Sequence, residues 1–472
     1  MTNNGIYEAS IVQENGTSYA LTLPDSQGKK YLQIDGNAGG FEGHADGSKM
    51  LCPLSPANAA HLRHRLSWLN PQPLGLATSA GFGDRLGIAT PGHAAAVIGT
   101  GIAPIFAQQS VRENARTKRS PQQVVDDAMW GLFEVGWHGK WGADGDHAKT
   151  PTDLDAFIAA GYTFFTIDPG EFVDDVAETD DLDTLRQKVD GLDWEILESN
   201  PSALREQLLK TVEGEHLNLS FDEHTLLKSA AKYGHAVTHT VKMAHHLQAN
   251  LSDFDLEMSV DETATTTSLH EHFYIVSELQ RLQIPIVSLA PRFVGQFEKG
   301  VDYIGDLDEL EANIKGHAAI QKYFGNSYKI SLHSGSDKFA VYPIAMRWTG
   351  GRVHLKTAGT SYLEALRIFA IHDPTFFRDL LEFARQRYTA DRQTYHVSAD
   401  LSRLPNSDNL ADNDLPNVLD QFDARQILHV TFGSVLDQYG DNFHQKLRQF
   451  EQAYHAGIKA HFDKHLAQFT VS

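Results

Sequence analysis

Three histidines stand where short apolar runs give way to polar residues: His147 in WGADGDHAKT, His333 in YKISLHSGSD and His354 in RVHLKTAGT. Asp144 and Asp146 lie beside the first of them, and Asp255, Glu257 and Asp261 occupy alternate positions of FDLEMSVDET. Imidazoles joined by one or two carboxylates from separate segments form a donor set for a divalent transition ion with an open coordination position. A carboxylate in the middle of an apolar run is costly unless it serves a metal, a base or a hydrogen-bonded network. There is no HExxH, no CxxC pair and no GxxxxGK[ST], so zincin, zinc-ribbon and P-loop chemistry lack their motifs. The expected ligands are His147, His333 and His354, holding one ion of Zn, Mn, Ni or Co.

These residues need a scaffold that brings distant run ends to one face. Eight apolar runs supply it, at 74–84, 102–110, 139–149, 162–171, 254–263, 284–292, 328–337 and 352–360, with helix-period segments between them. Strand then helix, eight times over, predicts a TIM-like (β/α)8 barrel, whose catalytic groups lie at the carboxyl ends of the strands. The pleat sends Lys329, Ser331 and His333 to one side and Ile330 and Leu332 to the other, and it separates His354 and Lys356 from Val353 and Leu355. The loops then offer substrate contacts. Asp84, Arg85, Gln108, Gln109 and Arg112 are expected at the mouth, binding a hydroxylated or carboxylated molecule. Lys149 follows the third run, Arg292 ends the sixth, and Ser334, Ser336, Asp337 and Lys338 form a small-residue loop suited to an anion. The His245-His246 and His270/His272 pairs, on helical segments away from run ends, read as surface groups.

Around that barrel, residues 1–70 read as a β-rich cap ending in a helix opened by Ser55-Pro56. The barrel is expected over 71–372, with a helical insertion at about 172–250, and a helical extension over 373–472. The 472 residues carry 40 Lys plus Arg against 61 Asp plus Glu, a formal charge of −21, which disfavours nucleic acid and anionic membrane as partners. The N-terminal stretch has no signal-peptide pattern, and the one cysteine, Cys52, fits a buried small hydrophobe in a reducing cytoplasm. The C-terminal helices permit a homo-oligomer without specifying one.

WGADGDHAK, FDLEMSVDET, KISLHSGSDKFAVYP and VHLKTAGTSYLEALR together resemble the tagaturonate/fructuronate epimerase family, over residues of about 74 to 370. The resemblance implies a divalent-metal-dependent isomerase of hexuronate catabolism that inverts carbon 4 of keto-D-tagaturonate to give keto-D-fructuronate, with tagatose and fructose as related substrates. It further implies His147, His333 and His354 as metal ligands, Asp146 as proton acceptor and Glu257 as proton donor, with Asp261 and Glu262 open as alternatives to Glu257. A sugar acid needs a cation, for which Arg85, Arg112, Arg292, Lys338 and Lys356 are the candidates. Two other readings stay open: a metal-dependent sugar aldolase or aldose–ketose isomerase on the same barrel, and a non-catalytic sugar-acid binding protein.

Overall fold

A computed structural model describes residues 5–26 and 28–469; residues 1–4, part of the stretch read above for an export signal, lie outside them. The chain opens with an antiparallel sheet of β1 (Val12–Glu14), β2 (Thr17–Leu21), β3 (Tyr31–Asp35), β4 (His44–Asp46) and β5 (Lys49–Pro53), in the order β1-β2-β3-β5-β4. Cys52 is buried there. The helix Pro56–Arg65 follows, its first turn capped by the Ser55 hydroxyl on the Asn58 N–H at 3.3 Å.

The eight apolar runs form eight parallel strands. They are β6 (Ser79–Gly83), β7 (Ala103–Ser110), β8 (Gly142–Ala148), β9 (Phe164–Ile167) and, after a short hairpin of β10 (Thr211–Gly214) and β11 (Leu217–Ser220), β12 (Asp255–Ser259), β13 (Ser288–Ala290), β14 (Lys329–Leu332) and β15 (Val353–Thr357). Pairing of β15 with β6 closes the barrel. Helices cover its outside, and several open with the cap chemistry their sequences announce: Ser120, Thr150 and Ser268 each accept the N–H three residues on, and Pro121 and Pro151 occupy first-turn positions. Between β9 and β12 the chain makes the helices Leu182–Asp190 and Pro201–Leu208, the β10–β11 hairpin and the 28-residue helix Glu223–Asn250, which packs on the barrel helix Leu269–Arg281.

Inside the barrel the side chains form polar layers. At the bottom the Asp255 carboxylate accepts the N–H groups of Leu74 and Gly75 (2.7 and 2.9 Å), and the Lys329 ammonium donates to Gly75 O and Ser79 Oγ (both 2.8 Å). These charges close the end of the barrel opposite the loops. Outward-facing Ile330, Leu332, Val353 and Leu355 are buried under the helices, as the pleat predicts. The C-terminal helices pack outside the barrel, the last one, Glu451–Leu466, against the helix Thr90–Val97. Among the described residues no helix is long and apolar enough to cross a membrane.

One helical histidine reads differently in three dimensions. His272 is fully buried, with Nδ1 at 2.8 Å from His317 Nδ1 and Nε2 at 2.8 Å from the Tyr328 hydroxyl. Its helix is crossed by Leu307–Tyr323, which carries His317, so a position that looks peripheral in sequence is enclosed by the next helix of the barrel.

Candidate active site

Above the bottom layer lies a ring of buried ions. The Lys356 ammonium, from β15, reaches Asp144 and Asp146 of β8 at 2.7 Å each and Glu257 of β12 at 3.0 Å, and donates to the Thr166 hydroxyl of β9. Thr166 in turn donates to Asp144 at 3.0 Å. Three carboxylates around one lysine leave the cluster short of positive charge. The His333 imidazole stands directly above: Nε2 is 2.7 Å from Glu257, and Nδ1 is 3.0 Å from Asp261 and 3.3 Å from the Ser259 hydroxyl. Opposite it, His147 places Nδ1 3.2 Å from Asp168 and Nε2 3.8 Å from Asp146, with its ring edge-on to His333 at 5.2 Å between centroids.

The electrostatics follow from this packing. Burial disfavours a charged imidazole at both histidines, yet Asp146 and Asp168 draw the pKa of His147 up to about 10, and Asp261 and Glu257 draw that of His333 up to about 9. Burial alone would also protonate Asp146 and Glu257, but Lys356, with His333 beside it, holds both well below the carboxylate range. Asp144, deeper and facing Asp146 and Glu257, is instead raised by burial. The pocket is thus built to hold added positive charge, as protons on the imidazoles or as a divalent cation.

Backbone conformation aims the two histidines. His147 has φ +53° and Ser334, just after His333, φ +47°, both in the left-handed region that non-glycine residues seldom adopt. The sharp turn at the end of β8 is therefore made by His147 itself. Gly145 serves a different need: a Cβ there would come within 2.7 Å of the Phe157 ring, so only glycine lets β8 lie against the helix Pro151–Ala159.

His147, Asp261 and His333 offer ligand atoms that all lie within 4.8 Å of one another. Two imidazoles and a carboxylate at the mouth of a barrel, in surroundings that favour added positive charge, fit a divalent ion. His354 is not part of this group. It sits one layer lower, Nδ1 2.9 Å from the Ser79 hydroxyl and its ring 5.2 Å from that of Phe164, and burial keeps its pKa well below the usual value. Register explains the difference: His354 pairs with Ser79 and Ser331 in mid-barrel, whereas His333 and His147 stand at strand ends.

Two connected cavities open above these groups. The inner one, about 30 Å³, is lined by Gln108, Asp146, His147, Asp261, His333 and Lys356, together with Lys299 and Ser334. The outer one, about 450 Å³, shares Asp261, Lys299, His333 and Ser334 and adds Arg112, Glu262, Arg292, Gln296, Tyr395 and His396. Asp146, His147, His333, Ser334, Arg292 and Lys356 thus come together from four strand ends and the loops that follow them, as their positions suggest. Glu257 borders neither cavity; it is fully buried behind His333, accepting from Ser288 as well. Lys149 lies to the side, 3.7 Å from Asp168 and 3.3 Å from Glu171.

Five other expected substrate contacts are structural. Asp84 accepts the N–H groups of Leu86, Gly87 and Ala89 and so shapes its own loop. Arg85 is buried in an ion pair with Glu113 at 2.6 Å and lies over the Phe432 ring. Gln109 donates to the Thr117 hydroxyl, while its neighbour Gln108 takes the inward position because strand side chains alternate. Asp337 turns outward to Arg425 at 2.8 Å and to His461 at 3.3 Å. Lys338 is fully buried, its ammonium donating to the carbonyls of Glu298, Val301 and Ser336; burial lowers its pKa to about 7. After the left-handed turns at Ser334 and Asp337 the loop folds back under itself, which carries both charges away from the mouth.

Sequence reasoning missed Lys299, Gln296, Tyr395 and His396. The first two belong to the loop that follows the sixth run, where polar residues at a strand end were a usable signal. Tyr395 and His396 come from the extension beyond the barrel, and nothing local in the sequence points them back to its mouth.

A closed parallel barrel whose acids, bases and candidate metal ligands converge at its carboxyl face defines a (β/α)8-barrel enzyme. The chain belongs to the tagaturonate epimerase family, UxaE, whose model matches residues 7–469, and it is accordingly an isomerase. It is 40% identical over 473 residues to the tagaturonate/fructuronate epimerase of Thermotoga maritima, covering 98% of this chain and 96% of that protein. The native crystal structure of fructuronate-tagaturonate epimerase UxaE from Cohnella laeviribosi is similar throughout, with a TM-score of 0.93 at 35% identity over 98% of this chain and 96% of that one. A crystal structure of the same enzyme with one glycerol gives the same values.

Proposed function

We propose that this protein interconverts keto-D-tagaturonate and keto-D-fructuronate by inverting carbon 4, at the site formed by Asp146, His147, Asp261, His333 and Lys356. The observation that carries this reading is a buried carboxylate, Asp146, held well below the carboxylate range and placed with two imidazoles on the wall of a small inner cavity that shares Asp261, Lys299, His333 and Ser334 with a sugar-sized outer one, in a chain with full-length similarity to enzymes of that name.

Carbon 4 is β to the ketone at carbon 2, so its hydrogen is not acidified and simple enolisation cannot invert it. Retro-aldol cleavage can. Asp146, kept ionised by Lys356, accepts the proton of the 4-hydroxyl; the bond between carbons 3 and 4 breaks, and its electron pair moves through carbon 3 onto the carbon-2 carbonyl. The aldehyde at carbon 4 turns its other face, carbon 3 re-forms the bond, and Asp146 returns the proton to the new 4-alkoxide. A divalent ion held by His147, Asp261 and His333 would supply Lewis acidity toward the negative charge that gathers on the carbon-2 oxygen. Glu257, one layer beneath, fixes the orientation and tautomer of His333; it is a positioning residue in this account rather than the proton donor. The closed barrel floor keeps the cleaved halves in place for recombination.

Tagaturonate deuterated at carbon 4 tests reaction and route together. The expected product is fructuronate that retains the deuterium. Loss of the label to solvent would contradict the retro-aldol route, and separable three-carbon products would favour an aldolase.

A further inference from the structure

Of the three Lys and Arg side chains that line the outer cavity, two hold protein partners, although the buried Arg112 Nε has none. Arg112 pairs with Glu262 at 3.1 Å, and Arg292 donates to the carbonyls of Asp261 and Thr263. Lys299 makes no hydrogen bond or ion pair with any described residue, and it lines both cavities, bordering Asp146, His147 and His333 in the inner one.

Its segment is held as a fixed platform. The buried Lys338 ammonium donates to the carbonyls on either side, of Glu298 at 2.7 Å and of Val301. Arg425 donates from Nε to the Gly300 carbonyl at 2.6 Å, and the Glu298 carboxylate accepts from the Ser398 N–H at 3.0 Å and from Gln426 at 2.7 Å. A surface lysine left to solvent needs no such support; one that must present its ammonium at a defined place does.

The substrate's chemistry says where that place is. In a 2-keto hexuronate only carbon 5 separates the carboxylate from carbon 4, so the group that receives the carboxylate must border the reacting residues. Arg112 and Arg292 line only the outer cavity, and Lys356 is enclosed by three carboxylates. Asp146 and Asp261 repel a second anion entering beside them unless a cation offsets their field.

Resting on the epimerase reading, we infer that Lys299 binds the substrate carboxylate and thereby selects hexuronates over neutral ketohexoses. The test compares wild type, Lys299→Met and Lys299→Arg on tagaturonate. Lys299→Met is expected to raise KM by about tenfold or more with kcat changed much less, and Lys299→Arg to restore most of the loss. Circular dichroism and thermal melting establish that each variant is folded; should the methionine variant not fold, Lys299→Gln takes its place. Weak inhibition by neutral D-tagatose should be the same in wild type and variant, which separates carboxylate recognition from general damage to the pocket. An unchanged KM in folded Lys299→Met overturns the inference while leaving the epimerase reading intact. A wild-type protein that does not convert tagaturonate defeats the epimerase reading itself.

Discussion

Lys356 joins the site's stability to its chemistry. Its ammonium is the shared partner of Asp144, Asp146 and Glu257, all enclosed, so removing it leaves three buried carboxylates with no lysine to offset them. Lys356→Met should therefore destabilise the fold by about 3–5 kcal/mol, measured by urea unfolding at neutral pH, and abolish turnover because Asp146 loses the charge that keeps it ionised. A variant of wild-type stability would mean that the ring of ions is not as closed as its geometry indicates. Much of this was legible in the sequence, since period-two alternation places Lys356, His333 and Glu257 on the inner face. What alternation does not give is height along the barrel axis. His354 and His333 both face inward, but strand stagger puts one in mid-barrel and the other at the rim, and stagger is a property of eight strands together.

The loop after β14 is the element that divides site from support. Ser334 and Ser336 face the inner cavity, whereas Asp337 and Lys338 fold away to the C-terminal helices and the 298–301 segment. Gly335 permits the reversal: a Cβ there would meet Leu355 Cδ1 at 2.4 Å, the Leu332 carbonyl at 2.7 Å and the Lys356 carbonyl at 3.0 Å. Gly335→Ala should thus push the loop off β14 and β15, costing about 1–3 kcal/mol in denaturant melts and lowering kcat/KM by at least tenfold. Retention of full activity would show that the loop's position is not critical. The strands and most helix starts could be read locally, because apolar runs, Ser/Thr caps and first-turn prolines are local signals. Loop direction could not: Asp84, Arg85, Asp337 and Lys338 have the right types at the right strand ends, and only the partners waiting for them, Glu113, Arg425 and backbone groups, turn them aside.

At the scale of the whole molecule, histidines whose pKa burial lowers make stability depend on pH, His93 among them. His93, between the barrel and the last helix, is fully buried against Phe82 and Phe462 with Nε2 2.9 Å from the Ser361 hydroxyl, and burial lowers its pKa from 6.5 to about 4. The unfolded chain binds a proton there that the native protein refuses, so stability is fully present above pH 6.5 and is lost as pH falls from 6.5 toward 4. The lowered pKa corresponds to about 3 kcal/mol from this residue alone. His93→Gln should flatten the pH dependence of the unfolding free energy over that range; an unchanged slope would mean that other buried histidines carry it. Such residues are hard to find from sequence because their enclosure is made by segments hundreds of positions away, as His93 meets Phe462 and as Tyr395 and His396 return to the mouth of the barrel.

The central claim, that this barrel epimerises tagaturonate with an ion held by His147, Asp261 and His333, is tested most directly by carbon-13 NMR. Chelator-stripped protein is followed with keto-D-tagaturonate, and Mn, Ni, Zn or Co is then restored. Appearance of keto-D-fructuronate only after an ion is added, and its absence with folded His147→Ala under the same conditions, is the predicted result. No fructuronate with any ion, or undiminished conversion by the folded His147 variant, would contradict the account.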